Sequence, residues 1–276
     1  MATWDTTGED ALRAENVDKV IKGITQRNFL MKQLVMTPKS TSWLETYYTE
    51  SSTPLTAKSG IPRGAAFPVS NVAWTKNTAY MKKHGLAGEV LWEDMISNNI
   101  DVILRTQLGI AKSVNIAIDT LIYNALVAGT GNTMSAAATW DNATRSSRIP
   151  HEDMLKAKML IFSDYYNADF AVMHPTNFAE FASNDYVLDS FDASGPKVLT
   201  TGTIERFEGL DILVTPVATE NTVLLGQSKV CGTYRIAEAL RTVTERIEGE
   251  RINIKAWEIG TCFVTDPNAL CTITSC

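Results

Sequence analysis

The 276-residue sequence predicts an α+β protein, and three stretches carry that prediction. The first is a helical stripe: Ile96, Ile100, Ile103, Ile110, Val114, Ala117, Leu121 and Ala125 recur at three- and four-residue steps. The second is a long extended finger, with limbs at Thr41 to Pro54 and Val69 to Val90. The third is a mixture of helices and short apolar strands between about 150 and 234, the pattern of a small α/β unit.

In chain order, Gly8 to Met36 reads as an amphipathic helix, striped by Leu12, Val17, Val20, Ile21, Ile24, Met31, Leu34 and Val35. Thr37-Pro38 ends it, because the residue before proline is pushed out of the helical region. Packing on its own core and packing on a neighbouring subunit both fit this segment. The first limb of the finger draws its bulk from Trp43, Leu44, Tyr47 and Tyr48. Ala57 to Ala65 is a turn-rich tip with two basic side chains, Lys58 and Arg63. The second limb sets Val72, Trp74, Thr78 and Tyr80 on alternate positions. An isolated hairpin is marginal in water, so the finger must lie on something else.

The long helix gains Leu104, Leu108, Ile118 and Ile122 beside its stripe, while Asp101, Arg105, Lys112, Asn115, Asp119 and Asn124 take the other side. Some 30 residues at the α-helical rise span roughly 45 Å. Gly129-Thr130-Gly131 is its stop. Thr133 to Ser147 reads as a small-residue loop. Pro150 then opens a helix whose apolar side is Met154, Leu155, Met159, Leu160 and Phe162. Asp169 to Met173 is a buried strand, Pro175 to Ala182 a short helix with Phe178 and Phe181 inward, and Ser183 to Lys197 a long loop. Ile212 to Thr215 and Val223 to Leu225 are short strands. From Arg235 two long charged strands follow, in which Ile252, Ile254, Ala256 and Glu258 alternate with Arg251, Asn253, Lys255 and Trp257. They have no clean apolar face and are expected to lie along the long helix. Ala269 to Thr274 is a last strand.

Composition narrows the functional classes. A net charge of −6 argues against an electrostatically driven nucleic-acid binder. No run of 18 apolar residues exists, so no membrane span is expected. Cys231, Cys262, Cys271 and Cys276 form no CxxC pair and read as free thiols, with Cys276 a frayed, unreactive one. No GxSxG, GxxxxGK[ST] or HExxH motif occurs, and His84, His151 and His174 are scattered. Gly129 and Gly131 follow a helix instead of a strand, so they do not form a dinucleotide loop. The sequence therefore offers no catalytic, cofactor-binding or metal site.

The order of parts resembles the HK97-type major capsid proteins of tailed bacterial and archaeal viruses. Lys83 to Glu89 running into Leu91-Trp92-Glu93-Asp94 is similar to that family's junction between finger and spine helix. Phe170 to Thr176 resembles its strand before a short axial-domain helix. Gly202-Thr203-Ile204 with Gly209 to Val214 resembles its G-x-I … G-x-P-I-x-V segment, with Asp211 in place of proline. Gly260 to Val264 and Asp266 to Ala269 resemble its closing strand and turn.

The resemblance implies an N-terminal arm over 1–48 and an extended β-hairpin E-loop over 49–90. It implies a P-domain with the spine helix over 91–149 and 235–264, and an α/β A-domain over 150–234 and 265–276. The implied function is non-enzymatic: self-assembly into pentamers and hexamers of an icosahedral shell enclosing viral double-stranded DNA. Implied partners are other copies, a portal, scaffolding or decoration proteins, and DNA bound without sequence specificity. The implied location is the virion, with assembly in the host cytoplasm. An encapsulin-like compartment enclosing cargo enzymes is the alternative. Lys58, Arg63, Trp74 and Tyr80 are the expected inter-subunit contacts.

Overall fold

The computed structural model describes residues 21, 30–50, 57–69, 71, 74–96, 102–142, 144, 147–184, 187, 206–247 and 249–276. Most of the predicted N-terminal helix and most of the 183–197 loop lie outside them. The elements run α1 (Met31–Leu34), β1 (Leu44–Glu50), β2 (Trp74–Tyr80), β3 (Lys82–Leu91), α2 (Trp92–Ile96), α3 (Val102–Ala128) and β4 (Asn132–Ser135). They continue as α4 (Pro150–Ser163), β5 (Phe170–Met173), α5 (Pro175–Ala182), β6 (Arg206–Phe207), β7 (Leu210–Val214), β8 (Thr222–Gly226), β9 (Gly232–Ile247), β10 (Arg251–Val264) and β11 (Leu270–Thr274).

Helix α3 is the beam of the molecule. Its 27 residues bury Gln107, Ile110, Ala111, Val114, Asn115, Ile118, Asp119, Ile122, Tyr123 and Leu126. It is long and apolar enough to cross a membrane, but it serves as a core helix, with half of its most apolar window buried in the fold. The buried face is rotated from the sequence stripe. Leu104 and Leu108 are exposed, whereas Asn115 and Asp119, expected on the outer side, point inward. Its buried apolar residues lie in one cluster that both sheets join, so the inward arc is wider than one apolar stripe and takes in Asp119, which accepts Met31 N–H.

Sheet β3-β10-β9 covers one side of α3. The register sets Ile252, Ile254 and Ala256 of β10 inward, all essentially fully buried. The inner face of β10 is therefore apolar as far as Glu258, which corrects the expectation of two charged strands without a clean face. The alternate residues Arg251, Asn253, Lys255 and Trp257 face out, as alternation dictates. Gly88 on β3 lets the sheet approach α3, because a Cβ there would sit 2.7 Å from Thr106 Cγ2 and 3.0 Å from Ile110 Cδ1.

The second sheet has the order β4-β11-β8-β5-β7-β6, with β4–β11 and β5–β7 parallel and the other pairs antiparallel. Its central strands are buried on both faces. Phe170, Val172, Leu224 and Leu270 join the α3 core. Ala171, Met173, Val223, Leu225 and Ile273 pack with Met154 and Ile161 of α4 and Phe181 of α5. Strand β4 falls within the stretch expected to be a loop. Its four residues carry no bulky alternation, and only parallel pairing to β11 makes them a strand.

The finger differs from its expected form in one respect. Only β1 and β2 pair with each other, Leu44 opposite Tyr80 through to Glu50 opposite Trp74. At buried Met81, whose N–H donates to Trp43 O (3.1 Å), the second limb leaves the ribbon and becomes β3 along β10.

Gly88→Val drives a branched side chain into α3, and we expect it to cost about 1–3 kcal/mol by overpacking. Chemical denaturation of the two purified proteins checks this, with a lowered midpoint at unchanged slope as the expected result.

Candidate functional site

The β1–β2 ribbon presents two different faces. Directly opposed residues share a face, so Leu44, Thr46 and Tyr48 lie with Lys76, Thr78 and Tyr80, and Trp74 extends the same side. The other side carries Tyr47, which stacks on Phe263 of β10 with ring centroids 4.1 Å apart and planes 12° from parallel. That stack fixes the middle of the ribbon to the body. The first face has no such cover: Leu44, Tyr48, Trp74 and Tyr80 are 41%, 58%, 60% and 65% exposed. Four large apolar side chains on one face of a two-stranded ribbon form a patch of the kind that marks an interaction surface. Aromatic residues are enriched in the contacts that dominate interface energetics.

Beyond the ribbon, residues 57–69 are almost wholly exposed. Ala65 N–H closes a turn on Pro62 O at 3.0 Å, and Gly60 and Gly64 take positive φ (72° and 85°), which glycine adopts without strain. Lys58 and Arg63 are exposed there, and neither makes an ion pair among the described residues. Trp74 and Tyr80 thus share a face, while Lys58 and Arg63 sit apart from them in the tip. Sequence reasoning passed over Phe67 and Val69, which are 80% and 90% exposed in the same segment.

A second apolar surface lies on α4. Met154 faces inward with Ala157 and Ile161, but Leu155, Met159, Leu160 and Phe162, expected on the buried side, are exposed. The helix docks through small Ala157, Asp153 and Pro150 more than through its largest side chains. Asp153 is fully buried because it accepts from Trp140 Nε1 (3.2 Å) and from Ala137 N–H (3.2 Å), a role that spacing alone does not announce.

Titratable chemistry points to structure. Burial pushes the Cys231, Cys262 and Cys276 thiols up to about 12 and Cys271 up to about 11, which suppresses the reactive thiolate. Cys276 is not frayed, being 2% exposed with its N–H donating to Asn221 O at 3.2 Å. Among the described residues no group of three or more His, Cys, Asp or Glu side chains is placed to hold a metal ion. One polar cluster is buried beside α3. Lys32 Nζ donates to Glu258 Oε1 at 2.6 Å and Oε2 at 2.8 Å, Tyr234 OH donates to Glu258 Oε1 at 3.0 Å, and Asp119 accepts Met31 N–H at 3.3 Å.

The family model described as phage capsid protein matches residues 75–273, and the chain belongs to that family. It is a structural capsid protein, not an enzyme.

The fold is shared with solved structures at low sequence identity. A capsid protein of cyanophage P-SCSP1u matches with TM-score 0.68 at 10% identity, covering 89% of this chain and 88% of that one. A Mycobacterium phage Che8 chain gives TM-score 0.68 at 15% identity, covering 90% and 92%. A virus-like particle from Pyrococcus furiosus gives 0.67 at 12% identity, covering 94% and 98%. No curated protein sequence matches significantly.

Trp74→Ala with Tyr80→Ala removes two exposed rings, and we expect the stability of the unassembled chain to stay within about 0.5 kcal/mol of the parent, as surface substitutions usually do. Equilibrium denaturation of dilute protein reads this directly.

Proposed function

We propose that the chain is an HK97-type major capsid subunit in which the β1–β2 ribbon and the 57–69 tip lie on a neighbouring copy. The uncovered face of Leu44, Tyr48, Trp74 and Tyr80 carries the proposal. A two-stranded ribbon is marginal alone, and Tyr47 on Phe263 ties down one face of it, leaving the other open. A neighbour in a closed shell supplies the missing cover, and repetition by symmetry turns modest contacts into a stable assembly.

In this reading the parts are an arm over 1–48, an E-loop over 49–90, a P-domain over 91–149 and 235–264 and an A-domain over 150–234 and 265–276. The ribbon body fits the E-loop, while β3 fits the P-domain sheet by its pairing with β10. The subunits form pentamers and hexamers of an icosahedral virion shell, assembled in the host cytoplasm around packaged double-stranded DNA. A portal and scaffolding or decoration proteins complete the particle. The likeness to a virus-like particle from Pyrococcus furiosus favours a second reading, an encapsulin-like shell around cargo enzymes. Nucleic acid inside purified particles supports the first and packaged enzyme the second.

Lys58 and Arg63 give the tip a positive end on an acidic chain, with net charge −6. Exposed pairs contribute only ~0.2–1 kcal/mol each, but a shell repeats them. Lys58→Glu with Arg63→Glu is expected to raise the protein concentration needed for assembly at low salt, and the difference is expected to shrink at high salt as screening sets in. Light scattering across a concentration series measures it, and equal assembly of mutant and parent at low salt removes the electrostatic role.

The ribbon face is tested separately. Trp74→Ala with Tyr80→Ala is expected to leave the folded chain intact and to shift negative-stain images from closed particles toward free subunits or capsomers. Unchanged particle yield contradicts the proposed contact.

A further inference from the structure

Helix α4 buries its small side and shows its large one. Pro150, Asp153, Met154, Ala157 and Ile161 are buried. Leu155, Met159 and Phe162 follow one another at steps of four and three, which sets them in one line along the opposite face. Leu160 flanks that line, and Phe162 is 64% exposed. The helix is therefore apolar on two sides. One side meets the cluster that holds Phe181 and Ile273, and the other meets solvent.

The end of the helix adds a fourth large group, at a conformational cost. Tyr166 N–H donates to Ile161 O (3.2 Å) and Tyr165 N–H to Phe162 O (3.0 Å), the paired bonds of a Schellman ending. Such an ending needs a residue in the left-handed region, and glycine is its usual occupant because it has no Cβ to clash. Here the position is Tyr165, at φ 68°. Its side chain makes almost no contact within the subunit, being 96% exposed. An unfavourable backbone conformation thus carries an uncovered ring at the end of an apolar line, and strain of this kind collects where a surface is used.

The charges beside the line are satisfied within the subunit. Glu152 pairs with Lys156 at 3.2 Å, and Lys158 Nζ donates to Glu208 O at 2.7 Å. The face therefore offers no row of free cations for phosphates, and it suits an apolar protein surface instead of a nucleic acid. A chain of net charge −6 can approach it without like-charge repulsion. Area argues for a copy of the same chain. A stable contact takes about 800 Å² from each partner. The ribbon face offers four side chains that are roughly half exposed, which at about 150–250 Å² each supply only about 300–500 Å². A contact that closes a ring of identical copies also uses two different patches on each. We infer that the stripe of Leu155, Met159, Phe162 and Tyr165 packs on a second copy of this chain, as a contact additional to the ribbon. The inference rests on assembly of the chain as a capsid protein and not on where the ribbon lies.

A photoreactive benzophenone amino acid in place of Phe162 tests the contact in particles assembled from the purified full chain. Irradiation is expected to yield covalent dimers of the chain. Particles that form normally but give only monomer or self-linked chain overturn the contact and leave the shell reading standing, whereas a parent chain that never assembles overturns both. Should the probe itself block particle formation, Tyr165→Gly decides the matter. Glycine relieves the left-handed strain, so the dilute variant is expected to unfold at a higher denaturant midpoint than the parent. The protein concentration it needs for assembly is expected to rise severalfold, a gain in stability set against a loss of function. A variant that is more stable and assembles at the parent's concentration overturns the inference.

Discussion

The burial of one wide face of α3 is the constraint on which the rest of the structure depends. The helix is shared, with Ile110, Val114, Ile118 and Ile122 lying in the same apolar cluster as Ile252 and Ile254 of one sheet and Phe170, Val172 and Leu224 of the other. Glycines hold the approach close: besides Gly88, a Cβ on Gly129 would stand 2.4 Å from Val264 Cγ2, and one on Gly232 would stand 2.8 Å from Leu126 Cδ2. Whatever lies beyond the reach of α3 must be tied down separately or left to a partner. The ribbon has one aromatic stack and an open face.

Much of the fold was legible in the sequence because it follows from period and punctuation. The three-and-four spacing located α3, Pro150 and Pro175 opened their helices at the first turn, and β-rich runs located β1, β2, β5, β9, β10 and β11. Facing was less legible. A single stripe assumes one neighbour, and α3 shares its cluster with both sheets, so Asn115 and Asp119 turn inward while Leu104 and Leu108 turn outward. The α4 stripe erred in the opposite sense, since Leu155, Met159 and Phe162 are apolar yet exposed, and an interaction surface carries the same periodicity as a core face. Pairing partners were the least legible. Nothing local reveals that the second limb of the finger changes sheets at Met81, or that Asn132 to Ser135 is a strand.

The expected contact residues fared according to the kind of signal each gave. Trp74 and Tyr80 lie on one face because strand alternation is local, and the cross-strand register then adds Leu44 and Tyr48 to them. Lys58 and Arg63 were found by charge in a turn-rich tip, and they sit there exposed. Phe67 lay between recognisable patterns and Val69 at the edge of one, and neither gave a periodic signal.

The central claim is that the open face of the β1–β2 ribbon is completed by another copy. An electron cryomicroscopy map of assembled particles, at a resolution that shows large side chains, tests it most directly. The account predicts that Leu44, Tyr48, Trp74 and Tyr80 are covered by an adjacent subunit, with Lys58 and Arg63 near its carboxylates. A map in which those four side chains face solvent, or fold back onto their own chain, contradicts it.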